Sequence, residues 1–226
     1  EDIARLRSCF PGRSVTLVAG CDVVCGASAY RSLRPGGVQE LDHLLIRRGE
    51  TDETDIRTRL QGRVTFLELP PQLEGISSTR IRGLLQAGDA AAANRLLGHP
   101  FCVDFQVIHG RRLGRRLGFP TINQVFPDGF LLPRFGVYAS VTELNGAAYY
   151  GVTNIGVKPT VGADRPLSET WLPGYRGPEV YGERPAVEIL EFIRPERKFD
   201  SLESLRAQIF QDGETARKIV YKARSV

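Results

Sequence analysis

The stretch Gly110 to Asn123, GRRLGRRLGFPTIN, holds the residues best suited to chemistry. Gly110, Gly114 and Gly118 recur every fourth residue, directly after a strand-like run. Glycine lets the backbone approach a phosphate closely and turn its N–H groups toward it. Arg111, Arg112, Arg115 and Arg116 interleave and can neutralise charge. Pro120-Thr121-Ile122-Asn123 follows at once. A Thr hydroxyl and an Asn carbonyl are neutral oxygens that suit Mg²⁺ and phosphate without a second carboxylate. Glycine spacing alone fits a plain β-turn with solvated arginines better. The attached Pro-Thr-x-Asn shifts the balance toward phosphate.

Two further clusters stand out. Ser77, Ser78 and Thr79 open a helix whose free N–H groups suit a phosphate, and Arg80 and Arg82 add positive charge. A capped helix with surface arginines is the simpler alternative. Glu169, in Ser168-Glu169-Thr170, is one candidate to accept a hydroxyl proton in a transfer reaction. Glu179, Glu183, Glu188 and Glu191 are its rivals, and residue type alone does not choose among them.

Other chemistries are poorly supplied. Cys21 and Cys25 have CxxxC spacing, and no second Cys or His pair completes a zinc site, so Cys9, Cys21, Cys25 and Cys102 read as reduced thiols. His43 lies in an apolar run and reads as a packing residue; His99 and His109 are given no catalytic role.

The elements that position these residues follow from composition and pattern. The chain has 226 residues, 42% hydrophobic and 25% charged, which fits one large globular domain or two small ones. Its net charge of +4 is mild and, apart from the arginine cluster, spread. Small anionic substrates explain that balance, and no nucleic-acid partner is expected. A nucleic-acid-binding barrel ranks last because stacking aromatics do not interleave with the arginines. No apolar run approaches the ~18 residues of a membrane span, and EDIARLRSCF is no signal peptide. The expectation is a cytoplasmic protein with no membrane partner. A chain that opens on Glu1 and contains no Met also reads as part of a longer protein.

Ser14 to Gly20 is short, apolar and β-branched, like a buried parallel strand, and Leu41 to Arg48 is a similar apolar run. Thr54 to Leu60 suits a helix, and Val64 to Leu69 a strand stopped by Pro70 and Pro71. A helix follows the Ser77–Thr79 cap and ends at Gly88; Asp89 caps another that ends at Gly98. After Pro100 the texture changes. FCVDFQVIHG, FGVYASVTEL, AAYYGVTNIG and PAVEILEFI alternate apolar with polar residues, and Asn145-Gly146 signals a hairpin. Ser201 to Ala223 shows helical spacing and should form one or two helices. The boundary falls near His99.

The second half resembles the riboflavin kinase family. GRRLGRRLGFPTIN resembles its G…G…LGFPTAN signature. FGVYASV, YYGVTNIGVKPT, LSET and EVYGERPAVEILEFIRPERKFDSLESLRAQIFQD then match family segments in order, over roughly the last 125 residues. The resemblance implies a six-stranded antiparallel β-barrel with a terminal helix over 99–226. It implies that Thr121 and Asn123 bind Mg²⁺ and the ATP phosphates, and that Gly110, Gly114 and Gly118 shape the phosphate loop. Glu169 would be the base that takes the ribityl hydroxyl proton. Thr170, Arg194 and Phe199 would contact the flavin, and Asn154 nucleotide or flavin. Trp171 and Tyr175 could wall a flat ring or pack a core.

ISSTRIR resembles the C-terminal signature of HxGH-type nucleotidyltransferases. Val18-Ala19-Gly20-Cys21-Asp22 is similar to that superfamily's G-x-D strand end, and DVVCGASAYRS and LLIRRG to its nicotinate-mononucleotide branch. The resemblance implies a partial Rossmann-like α/β nucleotidyltransferase layer over 1–98, with Ser77, Ser78, Thr79 and Arg82 at a phosphate. None of the three histidines forms HxGH. The expected activity is phosphorylation of riboflavin to FMN with Mg-ATP, and in the intact protein adenylylation of FMN to FAD. A flavin- or nucleotide-binding module without turnover is the alternative.

Overall fold

The computed structural model describes residues 2–31, 35–47, 52–110, 114, 118–160 and 163–224. The chain divides into two compact units, 1–75 and 76–226.

The first unit contains α1 (Asp2–Cys9), β1 (Thr16–Gly20), α2 (Cys21–Gly26), β2 (Asp42–Ile46), α3 (Glu53–Thr58) and β3 (Val64–Leu67). The strands form a parallel sheet in the order β1-β2-β3. Val24, Leu45 and Ile56 are wholly buried, with Cys21, Tyr30 and Leu60 around them. The apolar runs at Ser14 and Leu41 therefore become neighbouring strands joined through a helix, as a parallel pair requires. Asp52 caps α3, accepting from the N–H groups of Thr54 and Asp55. His43 packs in this core at 1% exposure. Its Nδ1 lies 2.8 Å from the Leu41 carbonyl and its Nε2 3.2 Å from the Tyr30 hydroxyl.

The second unit opens with α4 (Ser78–Ala87) and α5 (Ala90–Leu97). Ser77 caps α4 through the Arg80 N–H, Asp89 caps α5 through the Ala92 N–H, and both helices end on left-handed glycines, Gly88 and Gly98. Leu85, Ala90 and Ala93 pack into one core with Val103, Phe126, Tyr138, Ile155, Val187 and Ile189 of the sheet. Asn94 fastens the join, donating to the Ile189 carbonyl at 2.8 Å and accepting from the Phe101 N–H at 2.8 Å. The change of texture near His99 thus falls inside a packed unit. Two short helices with one apolar stripe bury it on the sheet beside them.

The sheet contains β4 (Phe101–Val103), β5 (Thr121–Val125), β6 (Gly136–Leu144), β7 (Ala147–Thr160), β8 (Ala163–Trp171) and β9 (Val187–Arg194). The order is β4-β9-β6-β7-β8-β5, and all pairs are antiparallel. The expected barrel is a curled half-barrel. β4 stops after three residues, too short to ladder against β5. Residues 104–108 close the gap with one bridge, Val107 to Gln124, and the Ile108 N–H donates to the Asn123 carbonyl at 2.9 Å.

Strand alternation sets two faces. The inner face carries polar side chains among the apolar ones: Gln124, Ser140, Thr142, Thr153, Ser168 and Thr170 are all buried. Thr153 ties two of them, its Oγ1 lying 2.7 Å from Ser140 Oγ and 2.9 Å from Thr170 Oγ1. The outer face is covered by one 23-residue helix, α6 (Leu202–Arg224). Ala216 of α6 is buried against Val137, Ala139 and Val152. Among the described residues no helix is long and apolar enough to cross a membrane.

Candidate active site

Residues directly opposite each other on antiparallel strands point to the same face. Asn123 of β5 opposes Glu169 of β8, and Glu169 opposes Asn154 of β7. Asn154 opposes Val137 of β6, which opposes Arg194 of β9. One lateral row therefore runs Asn123–Glu169–Asn154–Val137–Arg194 across five strands. Thr121, Trp171 and Val152 form the adjacent row on the same face. The sheet brings Thr121, Asn123, Glu169, Asn154 and Arg194 together although they span 74 positions of sequence.

This face and α6 enclose a cleft of about 280 Å³. Its floor includes Thr121, Asn154, Glu169 and Trp171; Arg194, Glu196, Arg197 and Phe199 form one wall, and Leu205, Ile209 and Asp212 of α6 the roof. Arg194 binds Asp212 in a fork: Nε donates at 3.0 Å to Oδ1 and Nη2 at 2.6 Å to Oδ2. Asp212 is 2% exposed and also accepts from Gln208 Nε2 at 2.7 Å. The planar guanidinium suits such a bidentate pair. The Phe199 ring sits beneath the guanidinium carbons of Arg194 and Arg197, at 5.8 and 4.7 Å. Trp171 is held edge-on by Phe119, and Gly213 lets α6 settle on it, since a Cβ there would lie 2.9 Å from the indole.

Thr121 also lines a second cleft of about 310 Å³, with Val107, Pro120, Ile122, Tyr175 and Tyr181 among its walls. Gly114 lies against Thr121, where a Cβ would come 3.5 Å from the Thr121 Cγ2. Gly110 presses on Asn123, and a Cβ at 110 would come within 2.8 Å of its amide nitrogen. Gly114 accepts from the Phe119 N–H at 2.7 Å, and Gly118 takes a left-handed φ of 88°. Arg111, Arg112, Arg115 and Arg116 lie outside the described residues.

Asn123 Nδ2 faces Thr121, 3.2 Å from its carbonyl and 3.3 Å from Oγ1. Thr121, Asn123 and Glu169 share one face, and turning the Asn123 amide over would aim its oxygen at Thr121 Oγ1. Oxygens of these three side chains are the ligand type a hard divalent cation takes, with its other ligands from water and phosphate. Among the described residues no group of three or more His, Cys, Asp or Glu could hold a metal by itself.

Other expected site residues lie elsewhere. Thr170 points to the opposite face from Glu169, is fully buried, and borders the second cleft. Ser77, Ser78, Thr79 and Arg82 sit at the exposed start of α4 and line neither cleft. Among the rival carboxylates, Glu179 borders the second cleft, whereas Glu183, Glu188 and Glu191 border neither. Sequence reasoning passed over Glu196 and Asp212. The Arg-Pro-Glu-Arg-Lys-Phe segment was the available signal for Glu196, and the closing Asp of the same family-like ending was the signal for Asp212; neither had been given a role.

The family described as Flavokinase: Riboflavin kinase matches residues 97–220, more than half of the chain. The chain belongs to the riboflavin kinase family. The bifunctional riboflavin kinase/FMN adenylyltransferase of Listeria monocytogenes is 35% identical over 189 residues, covering 82% of this chain and 60% of that protein. The Bacillus subtilis protein of the same description is 43% identical over 152 residues, covering 66% and 48%. The chain therefore spans about half to three-fifths of these curated relatives. In fold alone it is similar to the crystal structure of a macrolide-efflux protein from Streptococcus pneumoniae, with a TM-score of 0.67 and 22% identity over 96% of this chain and 87% of that one.

Proposed function

We propose that this chain transfers the γ-phosphate of ATP to the 5′-hydroxyl of riboflavin, giving FMN and ADP. The supporting observation is the row Asn123–Glu169–Asn154, of which Glu169 and Asn154 line the cleft, with Thr121 shared between two clefts. ATP takes the cleft beside Pro120 and Tyr181, its phosphates under the glycine segment. Riboflavin takes the cleft beneath α6, its ring against Trp171 and Phe199. Glu169 accepts the proton as the hydroxyl oxygen bonds to the γ-phosphorus, and the bond from that phosphorus to the β,γ-bridging oxygen breaks. Thr121 and Asn123 would hold Mg²⁺, which when bound neutralises phosphate charge. Arg194, fixed by Asp212, braces the flavin wall.

We assign residues 99–226 to the kinase and 1–98 to a nucleotidyltransferase-like part, in which Ser77, Ser78, Thr79 and Arg82 would meet a phosphate. Adenylylation of FMN is proposed only for a longer chain that carries an HxGH motif, because these 226 residues contain none.

The test is incubation with riboflavin, ATP and Mg²⁺ followed by chromatography of the flavins. FMN should appear, and Glu169→Gln should slow its formation about 10²–10⁴-fold while still binding riboflavin. Equal rates in both proteins would remove Glu169 from the mechanism. Bound riboflavin with no FMN from the unmodified chain would replace the kinase with a binding module.

A further inference from the structure

Asn154 stands between two carboxylates. Glu169 opposes it across the β7–β8 pair, and Glu196, on the segment after β9, reaches its side chain. Asn154 Nδ2 donates to Glu196 Oε1 at 2.9 Å. Gly156, two positions along β7, makes this possible, since a Cβ there would lie 2.5 Å from Glu196 Oε1 and 2.6 Å from Oε2. The orientation of the amide is chemically forced. An ionised carboxylate only accepts, so Asn154 must give it the NH₂ group and turn its oxygen the other way. That oxygen, Oδ1, is buried and has no hydrogen-bond partner among the described residues.

A buried acceptor without a donor is costly, and it discriminates strongly in favour of a ligand that brings one. Directly opposed side chains on an antiparallel pair are close, with Cβ atoms about 4.5–5.5 Å apart. Two neighbouring hydroxyls on one chain match that spacing, one at Glu169 and the next at Asn154.

We propose that Glu196 is a positioning residue. It holds the Asn154 amide in the one orientation that offers a carbonyl oxygen to a hydroxyl next to the reacting one. The pair thereby selects a polyhydroxylated substrate side chain. This inference rests on the riboflavin reading above and names the part of riboflavin, the ribityl chain, that the pair recognises.

The experiment compares binding of riboflavin with binding of lumiflavin, which keeps the ring but carries a methyl group in place of the ribityl chain. Trp171 is the sole tryptophan and lines the cleft, so its quenching reports occupancy without turnover. Glu196→Ala and Asn154→Ala should each weaken riboflavin binding roughly tenfold and leave lumiflavin binding unchanged. Glu196→Gln keeps an acceptor for the Asn154 NH₂ group and should restore most of the loss. A purely structural role would weaken both flavins alike and would not be rescued. Unchanged riboflavin affinity in Glu196→Ala, or equal loss for both flavins, overturns the proposal. If the unmodified chain binds neither flavin, the riboflavin reading itself fails.

Discussion

At the scale of single residues, Gly110 and Asn123 constrain each other. A side chain at 110 would strike the Asn123 amide, at 2.8–2.9 Å from its terminal atoms. Gly110→Ala should therefore displace the Asn123 oxygen and raise KM for ATP about tenfold or more, with riboflavin affinity little changed. Steady-state kinetics with each substrate varied in turn checks this. Thr121 and Asn123 were legible in the sequence because a contiguous motif carries them, and Glu169 because one family segment holds it. Glu196 also lay in a matched family segment, but its pairing was not legible, because its partner Asn154 lies 42 residues away. No spacing rule joins an amide in mid-strand to a carboxylate beyond the sheet.

At the scale of elements, α6 docks through two different devices. One is steric. Gly213 lies against Trp171, so Gly213→Ala sets a helix-propensity gain of about 1 kcal/mol against a 2.9 Å approach to a rigid ring. The ring cannot yield as a flexible chain end could, and the variant should be less stable, with a shifted Trp171 emission. The other device is electrostatic. Asp212→Ala strips the mostly buried Arg194 of its carboxylate and should cost about 3–5 kcal/mol, read by chemical denaturation; Arg194 is 18% and Asp212 2% exposed. The helix itself was readable from its apolar spacing. Two strands of the sheet were not. β8 contains Pro166, and its inward positions Ser168 and Thr170 are hydroxylic, so it lacks the apolar alternation that marks a strand. β5 hides in the same way, because Gln124 is one of its inward residues and Asn123 lies on the opposite, outer face. The half-barrel fills part of its interior with hydrogen-bonded hydroxyls, which reverses the pattern expected of a core-facing row.

At the scale of the whole molecule, the two units answer to different conditions. Burial pushes the His43 imidazole below its ordinary pKa of 6.5, and this outweighs the opposing pull of the Leu41 carbonyl and Asp42. Its unfolded form therefore binds a proton more readily than its folded form. The stability it supports is complete above pH 6.5 and falls as the pH drops below that value toward the lower folded pKa. Between pH 8 and pH 5 the first unit should lose stability, seen as loss of far-ultraviolet dichroism before Trp171 emission from the second unit changes. His43→Gln should flatten this dependence while lowering stability throughout. The second unit holds both clefts, and Thr121 belongs to each of them. With ATP and riboflavin in these clefts as proposed, the common wall lets donor and acceptor be present at the same moment. No side chain then needs to carry the phosphoryl group between visits. Initial rates should give intersecting, sequential patterns in double-reciprocal form, and no phosphorylated enzyme should accumulate when ATP is supplied alone.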